Sequence, residues 1–238
     1  MQISFKVWID LSCLIVFLSI WFGYARYSRR VASKRNSLAG IMEKQRVAWM
    51  QNCMVRSSHI DDAALIANID RHVTFYASTT LLILAGLMTS LSQVVPIQTM
   101  LLSWPFSYAL ETSQIQLRLM VLLAIFIYAY FTITWSLRQL SFASVMLGAG
   151  QVQSENQLHA TDANMEFAGL VAKIIDLSAH SFNNGLRAYY FSMATVTWFY
   201  HPAVFILSCL VVVVVLYRRE FKSGTLAVLT QANKTLSQ

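Results

Sequence analysis

Hydrophobic residues gather into four long runs, at about residues 5–24, 73–95, 119–137 and 193–217. A helix crossing a hydrocarbon core takes roughly 20 apolar residues, and each run is long enough. The runs contain LSCLIVFLSIWFGY, FYASTTLLILAGLMTSL, LMVLLAIFIYAYFTITW and VFILSCLVVVVVLY. Trp8, Trp21, Tyr24, Trp135 and Tyr217 stand near their ends, as an interfacial aromatic belt would. The pattern predicts an all-α membrane protein. It has four transmembrane helices in a single membrane domain over residues 1–238, with cytoplasmic helical extensions and amphipathic helices.

Between the runs the apolar positions recur at helical spacing. In 38–53, Leu38, Ile41, Met42, Trp49 and Cys53 alternate with Lys44, Arg46 and Gln51. Such a basic amphipathic helix either lies on anionic headgroups or packs on the protein's other cytoplasmic parts. Ser58 followed by Asp61 resembles a capping box. From there no Gly or Pro interrupts the chain before Gly86, and the helix predicted up to Pro96 is about 36 residues, or roughly 54 Å. The third helix starts with Thr112 or Ser113 as its cap, continues past Arg138 to about Leu147, and stops at Gly148 and Gly150. Residues 162–181 form another amphipathic helix, with Phe167, Leu170, Val171, Ile174 and Leu177 on one side. Asn183-Asn184-Gly185 is a plausible break before the fourth run. His201-Pro202 either kinks that run or begins its deeper half. The short connection 96–111, with Trp104, Pro105 and Phe106, suits an interfacial loop, and no internal repeat is present. In the second run, Ala85/Thr89 and Gly86/Ser90 are small-xxx-small pairs that suit close packing within the bundle or a dimer.

Composition strengthens the membrane reading: 56% of residues are hydrophobic and 12% charged, whereas soluble domains carry about 25% charged residues. A soluble enzyme is therefore excluded. The net charge of +7 suggests nucleic acid only if its distribution is ignored. Nine basic residues lie in 26–71 and three in 138–192, against Lys6, Arg118 and the four of the tail, 218–238. The balance of 12 to 6 places both long loops in the cytoplasm and the N-terminus outside. Arg218, Arg219 and Lys222 in the tail oppose that arrangement, so the side of the tail stays open. The first run is not a cleaved signal peptide, because its positive charges follow it and no small-residue cleavage site ends it. Arg26, Arg29, Arg30, Lys34 and Arg35 are the expected contacts to anionic headgroups.

Candidate chemistry is sparse. Ionisable groups inside a bilayer are functional candidates by default, yet the second and third runs have none in their central stretches. Asp10 is expected to reach the external interface. Polar residues cluster instead at the cytoplasmic helix ends: Asp61, Asn68 and Arg71, then Arg138, then Asn183, Asn184 and Arg187. Arginine forks and amides suit phosphate or carboxylate groups, and equally serve to cap helix ends. Glu155, His159, Asp162 and Glu166 have spacing that would suit a metal, but also that of a mixed polar loop. No metal or cofactor is assigned. Cys13, Cys53 and Cys209 show no paired spacing, so neither a disulfide framework nor a zinc site is indicated. Nucleophile, P-loop, dinucleotide and HExxH motifs are absent.

Several stretches carry a family likeness: Arg46 with Trp49, Asp61 with Asn68, TFYASTT at 74–80 with Gly86-Leu87, WSLRQ at 135–139, FNNGLRAYYF at 182–191, His201-Pro202, and LYRREF at 216–221. In these the chain resembles bacterial and plant membrane proteins known as the domain-of-unknown-function family numbered 599. The likeness runs from about residue 5 to 224, excluding 148–170. It implies a four-segment membrane protein and supplies no activity. Together these readings lead to the expectation of a non-enzymatic bacterial inner-membrane scaffold or accessory subunit. Its partners would be the bilayer and another membrane protein or its own copies, without nucleic acid. The alternative is a membrane-bound enzyme or small-solute carrier with an anion site at the cytoplasmic helix ends.

Overall fold

The computed structural model describes residues 5–32, 37–56, 58–103, 110–150 and 162–236. Within them the chain forms α1 (Phe5–Ala32), α2 (Leu38–Val55), α3 (Ile60–Ser92), α4 (Val94–Leu102), α5 (Thr112–Ala149), α6 (Asp162–Val196), a 3-10 turn (Thr197–Phe199), α7 (Pro202–Phe221) and α8 (Gly224–Leu236). The described residues contain no strand, and four helical stretches are long and apolar enough to cross a membrane. The protein is an all-α membrane protein. Lys34, Arg35, Trp104, Pro105, Phe106, Glu155 and His159 lie outside the described residues.

The helices form two compact units. The first comprises Met1–Arg35, Thr80–Ala129 and Leu186–Ser223. Its core is a column of rings. Trp198 stacks on Phe205 at 4.6 Å, Phe205 lies 5.5 Å from Phe17, and Phe191 lies 5.4 Å from Trp21. These pairs also set the helix directions. Phe17 meets Phe205 and Tyr27 meets Tyr217, so α1 and α7 run parallel. Trp21 and Phe17 both meet Phe191 while Ser28 meets Arg187, so the end of α6 runs antiparallel to α1. Outward, α1 exposes Leu11, Ile15, Leu18 and Phe22, and α7 exposes Leu207, Val211 and Val214. Spacings of three and four make each set a continuous apolar stripe, the face that lipid wets.

The second unit comprises Asn36–Thr79, Tyr130–Gly185 and Gly224–Gln238. Met50, Cys53 and Met54 of α2 pack with Ile66, Ala143, Leu147, Val171 and Ile175. α8 rests on α2, where Gln45 donates to Asn233 Oδ1 at 3.2 Å.

Four local expectations need amending. α6 passes unbroken through Asn183-Asn184-Gly185. Gly185 serves packing there: a Cβ on it would come within 2.5 Å of Ile133 Cγ1, so only a bare Cα allows α5 and α6 this close. Secondly, the fourth spanning helix starts at Pro202, and Met193 belongs to α6. His201 has extended backbone and caps α7, its ring accepting from Ala203 N–H at 3.1 Å, with Pro202 in the first helical position. Thirdly, part of the connection after Ser92 is the helix α4, which tolerates Pro96 because it lies in the first turn. Finally, Ala85, Gly86 and Thr89 are exposed, and nothing lies within 4 Å of a Cβ placed on Gly86. The small-residue stripe therefore faces away from its own unit.

Candidate functional site

Among the described residues, three clusters centred on buried carboxylates are built into otherwise apolar packing, one in the first unit and two in the second. In the first unit, Asp10 of α1 lies among apolar side chains and cannot remain charged there without a partner. Arg118, one and a half turns into α5, supplies it: Nη2 donates to Asp10 Oδ1 at 2.7 Å. Gln114, one turn earlier on α5, donates to the other oxygen at 2.5 Å. Arg118 also donates to the Trp198 carbonyl, and its guanidinium lies 5.2 Å from the Trp198 ring centre. Arg118 and Asp10 are 0% and 1% exposed. Asp10 thus lies inside the packing, not at the interface expected for it. The pair ties together α1, α5 and the turn before α7. Sequence held one signal for it: Asp10 is the only acid of α1, and Arg118 is the only base in the first half of α5.

In the second unit, charge collects around α2. Arg46 pairs with Asp176 of α6 at 2.6 Å, and His180, one turn on, lies 3.4 Å from the same carboxylate. Burial works to raise the Asp176 pKa, but the His180 hydrogen bond and the positive Arg46 and Lys173 outweigh it and hold the group below its usual range. At the α2–α3 corner, Asp62 Oδ1 accepts from Trp49 Nε1 and Arg56 Nη1, both at 2.7 Å. Cys53 Sγ lies 3.2 Å from His59 Nδ1. Burial, then the neighbouring Asp62 carboxylate, pushes the Cys53 thiol up to about 12, so it is not a ready nucleophile.

The residues singled out in the sequence occupy different surroundings. Asp61, Asn68 and Arg71 are exposed on α3, and Asn183 is exposed on α6 with Asn184 half-buried beside it. Arg138 is exposed and lies over the Phe142 ring at 5.6 Å. Arg187, in the first unit, is half-buried, donates to Ser28 Oγ at 2.9 Å and lies 5.7 Å from the Tyr24 ring centre. An open groove of about 340 Å³ in the second unit is lined by Ala63, Ile66, Ala67, Asp70, Ser141, Ser144 and Leu147. Asp70, the one acidic or basic residue that lines it, does not suit an anion. At the far end of the first unit, Arg26, Arg29 and Arg30 of α1 are exposed, as are Arg218 and Arg219 in the last turn of the parallel α7 and Lys222 at its C-cap. The Tyr27–Tyr217 ring contact of 6.5 Å sets these two basic ends side by side.

Lipid-facing helices closed by internal ion pairs define a multi-pass membrane protein without a recognisable catalytic constellation among the described residues. A family model described as "Protein of unknown function, DUF599" matches residues 12–225, and the chain belongs to that family. Among curated proteins and among solved structures, nothing matches the chain.

Proposed function

We propose that the protein is a non-enzymatic scaffold or accessory subunit of a bacterial inner membrane, acting through lipid and protein contacts. One observation carries this reading. Each buried carboxylate among the described residues, Asp10, Asp62 and Asp176, holds an arginine. Buried charge is committed to joining helices, while the exposed charge forms a basic collar at the ends of α1 and α7. Collars of this kind bind anionic headgroups with about 1 kcal/mol per basic residue.

The parallel course of α1 and α7, and the seat of α8 on α2, support a topology in which the tail shares the side of the long loops. α6 then provides a fifth passage, its polar positions masking it in hydropathy. On this reading Lys6 and Arg118 alone among the 18 basic residues are not cytoplasmic, and Arg118 is paired with Asp10. The conflict over the tail disappears, and the orientation agrees with the positive-inside rule.

The test is purification from native membranes in mild detergent, followed by native mass spectrometry. Retained anionic lipid together with a co-purifying membrane protein or a second copy is expected. A bare monomer with no preference between anionic and zwitterionic vesicles overturns the reading.

A further inference from the structure

The corner between α2 and α3 brings a thiol, an imidazole and a carboxylate together. Cys53 lies in the last turn of α2, His59 immediately precedes α3, and Asp62 lies in its first turn. One donor atom from each lies within 4.8 Å of the other two. Cys53 and Asp62 are fully buried, and His59 is half-buried. Trp49 and Arg56 hold Asp62 Oδ1, yet Oδ2 has no hydrogen-bond partner among the described residues. His59 Nε2 is also buried without one, but it diverges from Nδ1, the ring nitrogen that faces Cys53. Buried polar atoms are normally satisfied, and a carboxylate oxygen beside a thiol and an imidazole is a place for a cation.

We propose that Cys53, His59 and Asp62 bind a divalent transition-metal ion of the zinc class. Sulfur, nitrogen and oxygen are the donors zinc takes, and sulfur discriminates against magnesium and calcium. Bond lengths near 2.3 and 2.0 Å put the sulfur and nitrogen ligands of a tetrahedral zinc about 3.5 Å apart. The observed 3.2 Å between Sγ and Nδ1 is close to that. Trp49 and Arg56 fix the carboxylate from behind, as the outer partners of metal ligands do. On binding, the Cys53 S–H bond breaks, an S–metal bond forms and the proton leaves to solvent. Three protein ligands leave a fourth coordination position for water or a partner's donor atom.

The test uses the full chain in mild detergent, carrying a tag without histidine, stripped with a chelator and titrated with Zn²⁺ and then Co²⁺. One equivalent per chain is expected. Cobalt should produce a thiolate charge-transfer band, and tryptophan emission should shift because Trp49 bonds a ligand. Cys53→Ser removes the band. His59→Gln, at a half-buried position the fold tolerates, weakens Zn²⁺ binding at least tenfold with helix content unchanged. Cys13→Ser and Cys209→Ser leave the band intact. Absence of the band in the unmodified protein, its persistence in Cys53→Ser, or unchanged Zn²⁺ affinity in His59→Gln overturns the proposal.

Discussion

Both units bury a carboxylate against an arginine, but they do so differently. In the first unit, Arg118 and Asp10 are both closed off, and Gln114, the Trp198 carbonyl and the Trp198 ring surround them. In the second unit the carboxylates are equally buried, yet Arg46 and Arg56 are 17% and 50% exposed. The contrast follows from the solvent. Where water can reach the cation, part of its hydration survives burial of the anion. Where it cannot, the protein must supply the compensating charge and hydrogen bonds to the carboxylate itself.

The contrast is broken most severely at the closed pair. Arg118→Leu leaves Asp10 buried without its cation, with Gln114 still donating to it, at a cost of about 3–5 kcal/mol. The expected result is loss of the folded monodisperse species on thermal challenge in detergent. Replacing both partners by apolar residues should recover most of that loss, because no uncompensated charge remains. A double variant as unstable as the single one would mean that the pair does more than balance charge.

Asp176→Asn is a smaller perturbation, about 1–3 kcal/mol for hydrogen bonds to a charged group. Here pH sharpens the comparison. The folded state holds Asp176 below the usual carboxylate range, so its contribution is complete above the unfolded value near about 4. It fades as pH falls through the folded one. Melting of the two proteins across pH should show a gap at neutrality that closes in acid. A gap independent of pH would assign the effect to packing instead.

The smallest effect belongs to Lys173 and Glu43, which meet at 3.6 Å with both side chains open to solvent. Lys173→Ala should change stability by less than about 1 kcal/mol, and less again in high salt. A larger loss in the same melting assay would show that this surface is covered in the assembled protein.

Legibility in the sequence divides along the same line. Helices whose burial follows from solvent alone are visible as apolar runs: α1, α3, α5 and α7 all correspond to runs in the sequence. The course of α6 was hidden for two reasons. Its second half carries Arg187, Asn184 and Ser192, which dilute hydropathy. Its Asn-Asn-Gly also imitates a break, when Gly185 is there to admit Ile133. The Asp10–Arg118 pair lies 108 residues apart along the chain, and no local periodicity reports such a contact. The α2–α3 corner was hidden by residue type. Cys53 looks like one more small hydrophobe until the loop brings His59 beside it. Arg138, Asn68 and Arg71 were conspicuous in sequence because they are polar at helix ends, yet they are exposed, where polarity needs no further reason.

The separation of Asp10 from Arg118 also has a meaning in time. At ordinary translation rates, 108 residues take about 5–20 s. During that interval α1 has left the ribosome with its acid unmatched, and α7, which completes the aromatic column beside Phe17, is later still. The bundle is therefore closed by its late-made helices. Until then Asp10 marks the place the rest of the chain must come to find.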